Sequence, residues 1–203
     1  MPKIYDSQKF KLFTKPILDQ IEQWNTKLID NSRAESTAVD TTAFPNLTGH
    51  FSESTIKNVR VVIKKEVPRL PLRDILGDAL DRINGLRDYE SISFSGVAYR
   101  NFIFIKESNR DCEKSYFHEI CHTYQCNRLT PAGFTIYYAV GLLDIGKYKS
   151  SPIEKIVYEL ADDFCSGQSQ FNAESKLDEA CNMMKEEYTD ILNGMEWPIG
   201  ELA

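Results

Sequence analysis

The feature that most constrains this chain is the segment His-Glu-Ile-Cys-His at residues 118–122. Residues four positions apart lie on the same face of an α-helix, so a helix here would point His118 and His122 to one side. Two imidazoles on one face can bind a single metal ion, and Glu119 beside them can reach a water molecule that the metal activates. The segment therefore predicts a helix that carries part of a metal site.

Coincidence is a weak explanation for this segment. The chain has three histidines and sixteen glutamates, and at those frequencies the pattern would arise by chance roughly 0.003 times per chain. The competing interpretation, in which both helix histidines only pack or face solvent, is therefore the weaker one. The remaining histidine, His50, lies in a polar region without regular periodicity and is predicted to be incidental.

The third protein ligand that a catalytic zinc ion needs is expected to be acidic. No histidine follows His122, and Gln125 and Arg128 occupy the positions where metzincins carry glycine and histidine. Two glutamates on a later predicted helix, Glu154 and Glu159, are the serious candidates. Gln125, one turn beyond His122, is expected to steady the site through a hydrogen bond.

Helix geometry favours Glu154 over Glu159. Glu159 and Asp163 reproduce an ExxxD spacing, in which the glutamate binds metal and the aspartate orients a ligand histidine. A helical wheel nevertheless places Glu154 at the edge of the apolar sector and Glu159 farther toward solvent. Each also has a structural explanation, because Ser151 and Glu154 fit a capping box and Glu159 fits a solvated helix face. Glu154 is thus the preferred ligand and Glu159 the alternative.

Taken together, these motifs resemble those of the zincin metallopeptidases, in particular the gluzincin-like branch, which completes its zinc site with a glutamate from a later helix. The resemblance spans residues 92–165. It implies an α+β fold, a zincin-like single domain over residues 1–203, with a small mixed sheet packed on the motif helix and a C-terminal helical part. The matching features are HExxHxxQ at 118–125, Gly133-Phe134, Tyr148, Pro152-Ile153-Glu154, Val157 and Ala161, and the departures from the usual residues are Ser151 for Asn and Val157 for Ala.

The resemblance also implies a function. The expected protein is a zinc metallopeptidase with one Zn²⁺ per chain bound by His118, His122 and Glu154, and with Glu119 as general base. An edge strand at residues 101–106 would run above the ion and pair with an extended peptide or protein substrate. The alternatives are a catalytically silent zinc-binding regulatory or interaction module on the same scaffold, and a secreted effector or toxin protease. Candidates for stabilising an oxyanion are Tyr99, Tyr137, Tyr148 and Tyr158.

Composition sets the outer bounds. The 203 residues are 42% hydrophobic and 27% charged, as in one globular domain. A net charge of −6 argues against a nucleic-acid partner. No segment predicts a signal peptide or a membrane span, so a cytoplasmic protein is expected, with leaderless export as the alternative. Five cysteines without paired spacing predict reduced thiols.

Periodicity and turn residues predict the elements around the motif. Residues 1–50 are expected to form a helical brace and an irregular connection, and the irregular region is expected to extend over 32–58. The motif helix is expected to begin at an Asn109 or Asp111 cap. The apolar run at 102–105 should be buried beside that helix. Predicted helices cover 16–29, 71–86 with a stop at Gly85, 132–143, 152–167 and 175–192, and predicted strands cover 59–63, 91–94 and 101–106.

Overall fold

The structure, a computed structural model, describes residues 15–77, 92–145, 149, 151–167 and 170–193. These residues form seven α-helices and a four-stranded mixed sheet, so the expected α+β class is confirmed. No helix in this part of the chain is long and apolar enough to cross a membrane. The helices are α1 (Lys15–Ser32), α2 (Glu53–Asn58), α3 (Leu72–Leu76), α4 (Glu113–Leu129), α5 (Pro131–Ile145), α6 (Pro152–Cys165) and α7 (Ala173–Asn193), and the strands are β1 (Thr37–Ala38), β2 (Arg60–Lys64), β3 (Gly96–Tyr99) and β4 (Phe102–Lys106).

The sheet has the strand order β1-β2-β4-β3. The central pair, β2 and β4, is parallel, whereas β1 pairs with β2 and β3 with β4 in antiparallel fashion. Among the described strands β4 is therefore interior and β3 lies at an edge. The prediction that the strand at 101–106 is an edge strand is wrong, because β4 is hydrogen-bonded on both sides.

The strand predicted at 91–94 is also misplaced. Ser91 lies outside the described residues, residues 92–94 are not in a strand, and the strand that forms is β3. Tyr99 pairs directly with Phe102, so only Arg100 and Asn101 connect β3 to β4. A two-residue hairpin places its first strand immediately before the turn, and Arg100 adopts the positive φ of 55° that such a turn requires.

Side chains of β4 alternate between two hydrophobic clusters, one on each face of the sheet. Phe102 and Phe104 enter the first cluster, and Ile103 and Ile105 enter the second. A strand covered on both faces reads as a continuous apolar run, as it does here. All four side chains are buried and β4 packs against α4, as predicted.

Helix α4 lies at the centre of the fold, with β3, β4, α5, α6 and α7 packed around it. It begins at Glu113 after Cys112, whose side chain makes no capping hydrogen bond. The predicted caps at Asn109 and Asp111 are therefore wrong. Asn109 ends a short 3₁₀ turn, and Asp111 lies in the connection to the helix.

Residues 32–58, predicted as irregular, contain β1, a 3₁₀ turn at Pro45–Gly49 and α2. Leu47 is fully buried. The ring of Phe44 packs 4.2 Å from Tyr116, and that of Phe51 packs 5.1 Å from Phe117, measured between centroids. This segment is thus part of the core.

The remaining helices agree with the predicted ones to within a few residues. Helix α1 packs against α3 and α5, as a brace would. The helix predicted at 71–86 is described only as α3, because residues 78–91, with Gly85, lie outside the described part. All five cysteines are free thiols.

Candidate metal centre

Helices α4 and α6 bring two imidazoles and one carboxylate together. The Nε2 atoms of His118 and His122 are 3.1 Å apart. Oε2 of Glu154 lies 3.4 Å from His118 Nε2, and Oε1 lies 3.4 Å from His122 Nε2. With one atom taken from each side chain, the three ligand atoms lie within 4.8 Å of one another, and the described residues contain no other such group of three or more.

Each of these pairwise separations is close to that between two ligands of a tetrahedral zinc ion. With metal–ligand bonds of about 2.05 Å, two ligand atoms on one ion are about 3.3 Å apart. The set of two histidines and one glutamate is also a known donor set of catalytic zinc sites. The residues present therefore fit a zinc ion in both spacing and chemistry.

Gln125 fixes the tautomer of His122. Its Nε2 donates to the carbonyl oxygen of Ile153 at 3.1 Å, which turns Oε1 toward the imidazole. Nδ1–H of His122 donates to that Oε1 at 2.9 Å. In the neutral imidazole the proton is thus held on Nδ1, and the lone pair of Nε2 faces His118 and Glu154. The hydrogen bond expected of Gln125 is present, and it does what a metal ligand's outer partner does.

Glu154 is turned inward. Only 1% of its surface is exposed. The Ser151 side chain accepts from its backbone N–H, but the Glu154 carboxylate points to the histidines instead of completing a capping box. The Tyr138 hydroxyl donates to Oε1 at 3.2 Å, whereas Oε2 is buried and accepts no hydrogen bond. A buried carboxylate oxygen in that condition is available to bind a cation.

Charge coupling between the carboxylate and the imidazoles is strong. Burial alone would raise the pKa of Glu154, but both imidazoles hold this pKa well below its usual range. Burial alone would lower the pKa of His122, but the carboxylates of Glu154 and Glu119 and the Gln125 hydrogen bond outweigh it and raise that pKa to about 9. The carboxylates thus favour a positive charge at this cluster.

Glu159 is not brought to the histidines. Its side chain is 59% exposed and lies 3.9 Å from the Lys155 amine. Asp163, its ExxxD partner, lies 3.5 Å from the Lys176 amine and contacts neither histidine. The ExxxD spacing here marks a solvated helix face with ion pairs, and the alternative ligand Glu159 has no support from the geometry.

Glu119 lies beside the histidines with 3% of its surface exposed. Within the described residues no side chain or backbone group donates a hydrogen bond to its carboxylate. Burial raises its pKa; the nearby imidazoles of His118 and His122 oppose that effect, and Glu154 adds to it. Glu119 is therefore a carboxylate that accepts a proton more readily than an exposed glutamate.

The four tyrosines named from the sequence fall in different places. Tyr158 is the one beside the cluster, with its ring 4.8 Å from that of His118; burial and the charges of Glu154 and Glu119 raise its pKa. Tyr137 is buried in the first hydrophobic cluster, and Tyr99 donates to the Pro68 carbonyl. Tyr148 lies outside the described residues.

Sequence reasoning missed Tyr138 on α5, and it named Phe134 only as part of a motif, without a role. Tyr138 holds Glu154, and the ring of Phe134 lies 6.0 Å from that of His122 and stacks on Tyr138. The i, i+4 spacing of Phe134 and Tyr138 is a signal that could have found the pair. This spacing did not stand out in the sequence, because α5 is apolar on all sides and a helical wheel selects no face of it.

Comparison with protein-family models, with curated proteins and with solved structures found no match to this chain.

Proposed function

We propose that this chain is a zinc-dependent metallopeptidase of the zincin type. His118, His122 and Glu154 would hold the ion, and Glu119 would act as general base. The observation that carries the proposal is the convergence of two imidazoles and one carboxylate. The Nε2 atoms of His118 and His122 are 3.1 Å apart, and each lies 3.4 Å from a different oxygen of Glu154, of which Oε2 accepts no hydrogen bond. The resemblance of the surrounding motifs to gluzincins supports the same reading.

A bound zinc ion would supply Lewis acidity, lowering the pKa of a water ligand toward neutrality and polarising the substrate carbonyl. Glu119 would take the proton of the attacking water and pass it to the leaving amine. Its burial suits this role, because a carboxylate with a raised pKa is a better base near neutral pH. Gln125 would keep the Nε2 lone pair of His122 available throughout.

Tyr158 is our choice for stabilising the oxyanion. It follows Glu154 by one helical turn, and its ring packs edge-on against that of His118, so it stands next to two of the proposed ligands. Within the described residues that hydroxyl makes no hydrogen bond, which leaves it able to donate to substrate. Tyr99 and Tyr137 are engaged elsewhere.

An extended peptide is the substrate form that suits this site. Strand β3 packs against the motif helix, and among the described strands it pairs on one side only. A peptide could add to its outer edge as a further strand, through main-chain hydrogen bonds. In this proposal β3 takes the place that the sequence alone assigned to residues 101–106.

The test is a paired substitution. Glu119→Gln is expected to keep about one zinc ion per chain, measured by elemental analysis, while cleavage of a peptide library falls by roughly 10²- to 10⁴-fold. Glu159→Gln is the matched control and should change neither quantity. Full activity in Glu119→Gln, or absence of bound zinc in the parent protein, would refute the proposal.

The low exposure of the site favours one second candidate, a zinc-binding module without peptidase activity. Only 14% of the His118 side chain and 1% of the Glu154 side chain are exposed. A module of this kind would bind zinc at stoichiometry and turn over no peptide, and the Glu119→Gln change would leave partner binding as it was.

A further inference from the structure

Gly96, the first residue of β3, lies against the side chain of Glu119. A Cβ atom added to Gly96 would stand 2.8 Å from Glu119 Cγ and 2.9 Å from Oε1. Both separations are shorter than van der Waals contact. The position is therefore filled, in effect, by the glutamate of the neighbouring helix.

The backbone does not require glycine at this position. In the described chain the glycines with positive φ are Gly77 and Gly167. Gly96 sits in a regular antiparallel pair opposite Ile105, where any residue can adopt the backbone conformation. An alanine at position 96 would have no room for its Cβ atom, because atoms of Glu119 occupy that space.

Packing is what holds the Glu119 carboxylate. As no described group donates a hydrogen bond to it, its orientation depends on the surfaces around it. The surface on the sheet side is the bare backbone at Gly96. By strand alternation Gly96 and Ala98 share a face of the sheet, and Ala98 packs in the second cluster with residues of α4.

We propose that Gly96 is a positioning residue: its missing side chain lets the Glu119 carboxylate lie against β3, at the place from which it serves as base. This inference rests on the proposed function for the role of Glu119. The steric part can be tested apart from catalysis, through thermal unfolding of the full chain.

The experiment introduces Gly96→Ala into three backgrounds: the parent, Glu119→Gln and Glu119→Ala. Glutamine keeps the shape of glutamate without its charge, whereas alanine removes the clashing atoms. Gly96→Ala should lower Tm by about 2 to 6 °C in the first two backgrounds and leave it unchanged or raised in the third. If Gly96→Ala unfolds the parent but the Gly96→Ala/Glu119→Ala protein folds, the same conclusion follows.

Val97→Ala is the matched control, because Val97 packs against the first cluster, on the opposite face of β3. Its effect on Tm should be the same in all three backgrounds. An equal loss of Tm for Gly96→Ala in all three would overturn the inference. The comparison of Tm values tests the contact between Gly96 and Glu119 directly, so its result is valid even if the protein cleaves no peptide.

Where the parent does cleave peptide, a second readout follows. Displacing the base by about 1 Å should lower kcat by roughly 10- to 100-fold in Gly96→Ala, with KM and zinc content unchanged. A general loss of structure would instead lower zinc content together with kcat. Parent-like kcat in folded Gly96→Ala would also overturn the positioning role.

Discussion

His122 and His50 are two buried histidines with similar exposure, 5% and 8%. Each donates its Nδ1–H to an oxygen, His122 to Gln125 Oε1 at 2.9 Å and His50 to the Phe171 carbonyl at 3.0 Å. The difference lies around the rest of the ring. His122 faces Glu154, whereas His50 is enclosed by the rings of Phe117, Phe164 and Phe171 at centroid distances of 5.7, 5.1 and 4.4 Å.

The two surroundings differ in what they offer to a metal ion. Burial and a fixed Nδ1 proton are common to both, so neither property identifies a metal ligand. A carboxylate beside the second nitrogen is found only at His122. At His50 the hydrogen bond fastens the connection between α6 and α7 to the segment before α2, and the ring fills space among phenyl groups.

The largest effect is expected from Glu154→Gln, which removes the carboxylate beside Nε2 of His122 and so makes this ring more like that of His50. Zinc affinity should fall by more than about 100-fold, since even an outer partner of a ligand contributes 10- to 100-fold. Competition with a chromophoric chelator measures it. Glu159→Gln is the control. Equal zinc affinities in the two variants would mean that the carboxylate beside Nε2 does not distinguish His122 from His50.

Gln125→Leu should have the next largest effect. Without the Oε1 acceptor, Nδ1 of His122 is no longer held as the donor, and the tautomer with its proton on Nε2 competes with metal. We expect zinc affinity to fall about 10- to 100-fold in protein that near-UV circular dichroism shows to be folded. Unchanged affinity would mean that the hydrogen bond is structural, as at His50.

His50→Phe should affect stability and not metal. The Phe171 carbonyl loses its donor, at a cost of about 1 kcal/mol, the lower end of the range because Phe171 is only half-buried. Thermal unfolding should show Tm lower by about 2 to 4 °C. Zinc affinity should equal that of the parent, and a loss of zinc would show that the two histidines are not independent.

The smallest effect is expected near His50, at Glu174. Partial burial raises the pKa of Glu174, but hydrogen bonds from Thr55 and Ser52 outweigh it and lower this pKa below 4.5. The ionised form therefore adds stability above pH 4.5, and the contribution is lost as pH falls further. Glu174→Gln should cost less than about 1 kcal/mol at pH 7, because the group is partly solvated.

Urea unfolding at pH 7 and in acid measures this difference. The gap between parent and variant should close as the pH is lowered. If the difference in the free energy of unfolding between parent and variant persists in acid, the charge of Glu174 is not its cause.

Most of the candidate site could be predicted from local spacing. His118, Glu119 and His122 follow from a helical repeat, and Glu154 follows from its angle to the apolar sector of α6. Such angles are fixed by the helix itself, so they survive folding unchanged. The hydrogen bond of Gln125 was also within reach, because Gln125 lies one turn from His122.

What could not be predicted depends on pairing between distant segments. Nothing in the apolar run of β4 tells whether one or two strands will flank it. The hairpin turn uses Arg100 at positive φ instead of the usual glycine or asparagine, so its sequence carries no turn signal. The contact of Gly96 with Glu119 depends on that hairpin, so it could not be predicted either.

The parallel pairing of β2 with β4 bears on how the chain assembles. Strands β3 and β4 meet across two residues and can associate early, but β2 has to find β4 across the whole of residues 65–101. Closing so long a loop lowers the chain entropy before any stabilising contact has formed. We therefore expect the β2–β4 ladder to form late and to set the folding rate, with the hairpin that seats Glu119 already in place.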